Sequence, residues 1–134
     1  MSDQGIKLAV VGAHLRGQPL NSQLTERAAK FVAQTTTAKC YRLYALPNTT
    51  PPKPGLVRSA GGAAIEVEVW ELDEAAFGSF VAAVPSPLVI GTLELENGES
   101  VKGFLCEGYA VEGAREITRF GGWRAYLESL NSKA

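Results

Sequence analysis

The spacing of the extended runs constrains this chain more than any other feature of its sequence. Leu88 to Leu95 and Ser100 to Cys106 are rich in apolar and β-branched residues, and Glu96-Asn97-Gly98-Glu99 stands between them. Asn-Gly readily adopts the positive φ angles of a tight hairpin, so the two runs predict a pair of antiparallel strands. Ala29 to Thr36 and Lys39 to Leu46 are separated only by Thr37-Ala38, and they predict a second antiparallel pair. A parallel crossover needs a dozen or more residues, which these gaps lack. The expected class is therefore α+β: a small, mostly antiparallel sheet curled into a barrel, with a few short helices.

The rest of the chain fills in around these runs. Ile6 to Val11 reads as a buried first strand that ends at Gly12 and feeds a loop from Ala13 to Asn21. Asn21 or Ser22 is placed to cap one or two helical turns around Leu24. Pro47 to Gly62 holds four of the seven prolines and three glycines, which predicts a long, stiff loop without regular structure. Loops of that length commonly roof a site. In Ala64 to Leu72, alternation sends Ile65, Val67 and Val69 one way and Glu66, Glu68 and Trp70 the other. Two carboxylates on one strand face need solvent or a cation, and Arg42 and Arg124 are the candidates. Asp73 caps a helix running to about Val84, with Phe77, Phe80, Val81 and Val84 toward the core, and Pro85 and Pro87 stop it. Gly121-Gly122 precedes a closing helix whose Trp123, Tyr126, Leu127 and Leu130 are expected to face inward.

Composition narrows the function classes. With 134 residues, 46% hydrophobic and 20% charged, the chain can bury one core, and residues 1–134 read as a single domain. Lys plus Arg number 13 against 14 Asp plus Glu, scattered rather than clustered, which argues against a nucleic-acid partner. No stretch approaches the roughly 20 apolar residues that span a bilayer. Leu8 to Val11 lacks the length and flanks of a signal peptide, so the expected location is cytoplasmic. Cys40 and Cys106 form no CxxC or Cys/His cluster; they read as small buried hydrophobes, and no metal is implied.

Several segments in order along the chain carry a family likeness. They are Val11-Gly12-Ala13-His14-Leu15-Arg16-Gly17-Gln18-Pro19-Leu20-Asn21, Tyr41-Arg42-Leu43-Tyr44-Ala45-Leu46-Pro47, Thr49-Thr50-Pro51-Pro52-Lys53-Pro54-Gly55-Leu56, and Glu66-Val67-Glu68-Val69-Trp70-Glu71-Leu72. Gly103-Phe104-Leu105 and Phe120-Gly121-Gly122-Trp123-Arg124-Ala125-Tyr126-Leu127 continue it. Together they resemble the carboxyl-terminal domain of allophanate hydrolases, in the γ-glutamyl cyclotransferase-like class. Gly12 to Gly17 is also similar to the loop that opens cyclotransferase domains, where backbone amides hold a substrate carboxylate. Two departures are visible: Val11 stands where those enzymes have tyrosine, and His14 is added before Leu15. Their acidic residue after the helix is also missing, since that region reads Val84-Pro85-Ser86-Pro87.

The resemblance implies decarboxylation of N-carboxycarbamate, the product that an amidase makes from allophanate. The chain has no Gly/Ser-rich amidase segment, so amide hydrolysis is not expected of it. Such a decarboxylation needs anion donors and a proton carrier tuned near neutral pH. His14, the sole histidine, has the side chain suited to that task. The candidate catalytic residues are thus His14 and Tyr44, the latter on a strand face shared with Arg42. The candidate substrate-binding residues are Gly12, Ala13 and Leu15 through their amides, with Lys53 and Arg58 as cations on the proline-rich loop. No cofactor is implied. The expected partners are a small anionic substrate, an amidase-domain protein and a second copy of the chain in a homodimer. Two alternatives stand beside the enzyme reading: a non-catalytic assembly module for an amidase, and a γ-glutamyl cyclotransferase-like enzyme. The pocket is expected where the Gly12 to Gly17 loop meets the Pro47 to Gly62 loop.

Overall fold

A computed structural model describes residues 5–131. The central strand is β1 (Ile6–Val10), whose Leu8, Ala9 and Val10 are fully buried. Apart from Lys7 every residue of this strand is apolar, a pattern that would be wasted on an edge, and here it has a strand on either side. On one side runs β5 (Glu66–Leu72), antiparallel, with Leu8 opposite Trp70; on the other runs β7 (Ser100–Cys106), parallel, with Leu8 opposite Lys102. β2 (Lys30–Thr36) borders β5, and β6 (Leu88–Glu94) borders β7, giving the order β2-β5-β1-β7-β6. A second sheet has the order β4-β3-β8, from β3 (Tyr41–Ala45), β4 (Pro54–Arg58) and the short β8 (Arg115–Glu116). Neither sheet closes on itself, so two packed sheets stand where a curled barrel was expected. The mixed α+β character and the dominance of antiparallel pairing hold.

The Asn97-Gly98 hairpin forms as the sequence predicts. β6 and β7 pair from Leu88↔Cys106 to Glu94↔Ser100, and Gly98 takes a φ of 89° that a side chain would strain.

The Thr37-Ala38 hairpin does not form. β2 pairs with β5, from Lys30↔Glu71 to Thr36↔Glu66, while β3 lies in the other sheet. Neither Thr37 nor Ala38 adopts the positive φ that a two-residue reversal demands. Instead the chain runs on through them: Thr37 N–H donates to Ile65 O at 2.9 Å, its hydroxyl accepts from Ile65 N–H at 3.0 Å, and Ala38 N–H donates to Glu94 O at 2.9 Å. This segment carries the backbone from one sheet to the other.

The proline-rich stretch is likewise not all loop. β4 occupies its second half and pairs with β3 from Tyr41↔Arg58 to Ala45↔Pro54. Pro54 is tolerated because it is the first residue of the strand, and no proline follows it there.

Three α-helices stand beside the sheets among the described residues. α1 (Ser22–Thr25) is a single turn without a side-chain cap, because the Asn21 amide donates to His14 O at 2.8 Å instead. α2 (Glu74–Ala82) is capped as expected, Asp73 accepting from Ala76 N–H at 2.7 Å, and it buries Phe80. α3 (Trp123–Asn131) buries Trp123 and Tyr126. Leu130, expected in the core, is 45% exposed, because burial fades along α3 and its last turn extends past the elements it packs on. Among the described residues no helix is long and apolar enough to cross a membrane.

Candidate active site

Because β1 is clamped on both sides, the residues that follow it leave the sheet at a fixed point. Val11, Gly12, Ala13, His14 and Leu15 are all buried, and the loop closes on itself through Leu15 N–H to Gly12 O (3.0 Å) and Leu20 N–H to Ala13 O (2.8 Å). Gly12 faces the ring of Pro54 so closely that a Cβ would lie 2.2 Å from Pro54 Cδ. The glycine loop and the proline-rich segment therefore meet as expected.

Beside that contact lies a cleft of about 170 Å³, walled by His14, Leu20 and Gln23 on one side and Thr50, Pro51 and Lys53 on the other. Ala83, Val84 and Pro85 from the end of α2 form the third wall, which no motif places there. A void of about 10 Å³, room for roughly one water, adjoins it between Gly12, Ala13, His14, Lys53 and Phe104.

His14 is only 6% exposed. Its ring stacks on Phe104 with centroids 4.9 Å apart and meets the edge of Phe80 at 5.1 Å. Nε2 lies 2.8 Å from Gln23 Oε1. Burial holds its pKa below the usual 6.5; the Gln23 bond opposes that shift, and the nearby cations Lys53 and Arg27 add to it. The imidazole is therefore neutral at neutral pH. Lys53 is also largely buried, at 9% exposed, and its ammonium forms no ion pair among the described residues. No Asp or Glu lines either space. The stem of Lys53 is packed away while its ammonium keeps access to water, which leaves it free to meet an anion in the cleft.

The other candidates divide. Gly12 and Ala13 line the small void, and the amides of Ala13 and His14 have no hydrogen-bond partner among the described residues. The Leu15 amide, expected to bind anions, is already donated to Gly12 O, and its side chain is fully buried. Tyr44 stays on β3 beside Gly55 and Glu116, outside both spaces, because β3 belongs to the second sheet. Arg58 is at the opposite end of β4 from Pro54; it donates to Tyr41 Oη at 3.1 Å and pairs with Glu94 at 3.5 Å, so it closes over nothing. Pairing within β4 fixes it there, whereas a free loop would have let it swing.

The loop is held from behind by Glu68, whose side chain is completely buried on β5. Its carboxylate accepts from Arg16 N–H (2.9 Å), Arg16 Nε (3.0 Å), Arg124 Nη2 (2.7 Å) and Trp70 Nε1 (3.2 Å). Arg124 also donates to Arg16 O at 2.9 Å. Burial by itself would raise the pKa of Glu68, but these donors outweigh it and the net shift is downward. Of the two cations considered for this face, Arg124 is the partner; Arg42 serves Ser59 and Glu116. Gln23 and the Phe80–Phe104 sandwich were missed, since only the folding of distant segments brings them to His14. Among the described residues no group of three or more His, Cys, Asp or Glu is placed to hold a metal.

A sequence profile described as the allophanate hydrolase C-terminal domain matches residues 6–128. Urea amidolyase of Saccharomyces cerevisiae is 50% identical over 96% of this chain, which spans 7% of that protein. The Kluyveromyces lactis allophanate hydrolase structure aligns with a TM-score of 0.91 and 45% identity, over 97% of this chain and 22% of that one. A γ-glutamyl cyclotransferase structure aligns at 14% identity with a TM-score of 0.54, over 78% of this chain and 68% of that one, a likeness of fold alone.

Proposed function

The chain belongs to the allophanate hydrolase C-terminal domain family, and from that premise we propose that it decarboxylates N-carboxycarbamate released by an amidase acting on allophanate. One observation carries the reading: a small cleft joins a neutral, buried histidine to a lysine whose stem is buried and whose ammonium has no counter-ion among the described residues. In the reaction the scissile C–N bond breaks with its electron pair left on nitrogen, carbon dioxide departs, and the nitrogen takes up a proton. Lys53 and the open amides of Ala13 and His14 hold the carboxylate charge, and the His14 imidazole, neutral at rest, takes a proton from water once the anion is bound and delivers it to the nitrogen. Tyr44 and Arg58 have no part in this reading, because neither reaches the cleft.

The absence of a carboxylate from the cleft lining disfavours cyclotransferase chemistry, which uses one as general acid and base. Since the chain spans a small part of its curated relatives, an amidase-domain protein is its proposed partner, and an assembly role accompanies the chemistry. Phe31, Val32, Val89, Tyr109 and Leu130 are exposed apolar side chains that support a homodimer, which sedimentation at micromolar concentration would detect.

The enzyme reading is tested by generating N-carboxycarbamate in place with an amidase and following carbon dioxide. The chain should accelerate its release and His14→Ala should not. No acceleration by the unaltered chain would refute the reading.

A further inference from the structure

Gln23 is the side chain in the cleft with no role so far, and it makes the only side-chain hydrogen bond to the His14 ring among the described residues. We propose that Gln23 is a positioning residue that fixes His14 as its Nε2–H tautomer and thereby makes Nδ1 the nitrogen that carries the proton. The second half of this inference rests on the proton-carrying role proposed above; the first half does not.

The argument begins with the two unlike nitrogens of a neutral imidazole. One donates and the other accepts, and the hydrogen bond made by one decides which is which. Gln23 Oε1, at 2.8 Å, is a carbonyl oxygen and can only accept, so Nε2 carries the hydrogen. Nδ1 has no partner among the described residues and keeps its lone pair. The ring cannot easily turn to exchange the two, because Phe104 stacks on it at an interplanar angle of 19° and Phe80 closes its edge at 67°.

Gln23 is itself held at both ends of a short clip. Its N–H donates to Leu20 O at 3.0 Å, and its carbonyl accepts from Arg27 Nη1 at 2.8 Å. The neighbouring Asn21 amide grips His14 O at 2.8 Å. Histidine and glutamine are thus fastened to one another through backbone and side chain alike. The charged groups facing the ring are Lys53 from the segment before β4 and Arg27 after α1; α2 presents Phe80, Ala83, Val84 and Pro85, and β7 presents Phe104. Both charges are positive, so no nearby charge favours the doubly protonated ring until an anionic ligand enters.

Since His14 is the sole histidine, ¹⁵N labelling of the imidazole gives one pair of ring signals and reads the tautomer directly. The expected spectrum of the unaltered chain at neutral pH has a pyrrole-type Nε2 and a pyridine-type Nδ1; the reverse would overturn the proposal without any variant. Gln23→Glu keeps the acceptor and adds a negative charge, so it should retain the tautomer and move the His14 titration upward, with the pH profile of turnover following. Gln23→Met should mix the tautomers and lower kcat about tenfold or more with little change in KM. Unchanged tautomer populations and kcat in Gln23→Met would also overturn it. A correct tautomer without carbon dioxide release would refute decarboxylation and uphold the positioning of the ring, whereas release with the reversed tautomer would do the opposite.

Discussion

Glu68→Gln is the most searching perturbation of this fold, because it removes a charge from a fully buried position while keeping the side chain's size. The carboxylate accepts four hydrogen bonds, from the Arg16 backbone amide, the Trp70 indole, and the Arg16 and Arg124 guanidinium groups, the last two as ion pairs. An amide can accept some of these but turns an NH₂ group toward the remaining donors. Breaking a buried pair by removing one partner costs about 3–5 kcal/mol. The Arg16 and Arg124 side chains are 46% and 29% exposed, so water replaces part of what they lose, and the lower end, about 3 kcal/mol, applies. In a domain of this size that lowers Tm by about 10 °C. Urea unfolding at pH 7 measures it, with the slope m unchanged between the two proteins. The pH dependence has a definite sign. Glu68 holds its folded-state pKa below its unfolded one, so its contribution is complete above the ordinary 4.5 and is lost as the pH falls through the folded value. The stability gap between the unaltered chain and Glu68→Gln should therefore be full at pH 7 and shrink in acid. A gap under about 0.5 kcal/mol at pH 7, the size of an ordinary surface substitution, would refute the reasoning.

Gly12→Ala should destabilise by about 1–3 kcal/mol and impair the site, because its Cβ would lie 2.2 Å from Pro54 Cδ and one of the two segments must shift; thermal unfolding with a carbon dioxide assay checks both. Lys53→Met should move the His14 titration upward, since it removes a cation that disfavours the imidazolium, and NMR of the sole histidine reads the direction. His14→Ala should cost about 2 kcal/mol or more of stability in addition to turnover, because it empties a buried space between Phe80 and Phe104; chemical denaturation measures it. A solvent-exposed proton donor would have left Tm nearly unchanged.

What could be read in advance follows the range of the interactions. The Asn97-Gly98 hairpin, the Asp73 cap and the start of α3 after Gly121-Gly122 are decided within a few residues, and the sequence showed each of them. The partner of β2 is decided by whether Thr37-Ala38 can reverse the chain, and spacing alone misjudged it where turn chemistry would have objected. Counting prolines hid β4, since a strand tolerates proline at its first residue while a composition argument does not distinguish positions. The same error placed Arg58 over the site. Within the site, His14 stood out as the sole histidine, Gly12 and Ala13 as the turn that ends β1, and Lys53 as a cation on the proline-rich segment, with the family likeness adding weight to each. Gln23 and the walls from α2 belong to no motif, and only the packing of separate elements brings them to the ring.

The position of β1 between β5 and β7 has a consequence in time as well as in space. Leu8 has its neighbours at Trp70 and Lys102, so the strand that aims His14 is made before either of its partners and is among the last to have both. Closing such distant pairings costs chain entropy before any contact rewards it, and folds built on them form slowly. An amino-terminal fragment that stops short of β7 contains every residue from Val11 to Lys53 and still lacks the flank that holds β1 in place. The native packing of the His14 ring between Phe80 and Phe104 is therefore a marker of completed folding, and the onset of its native NMR signals in a refolding experiment should trail the burial of Trp70 and Trp123.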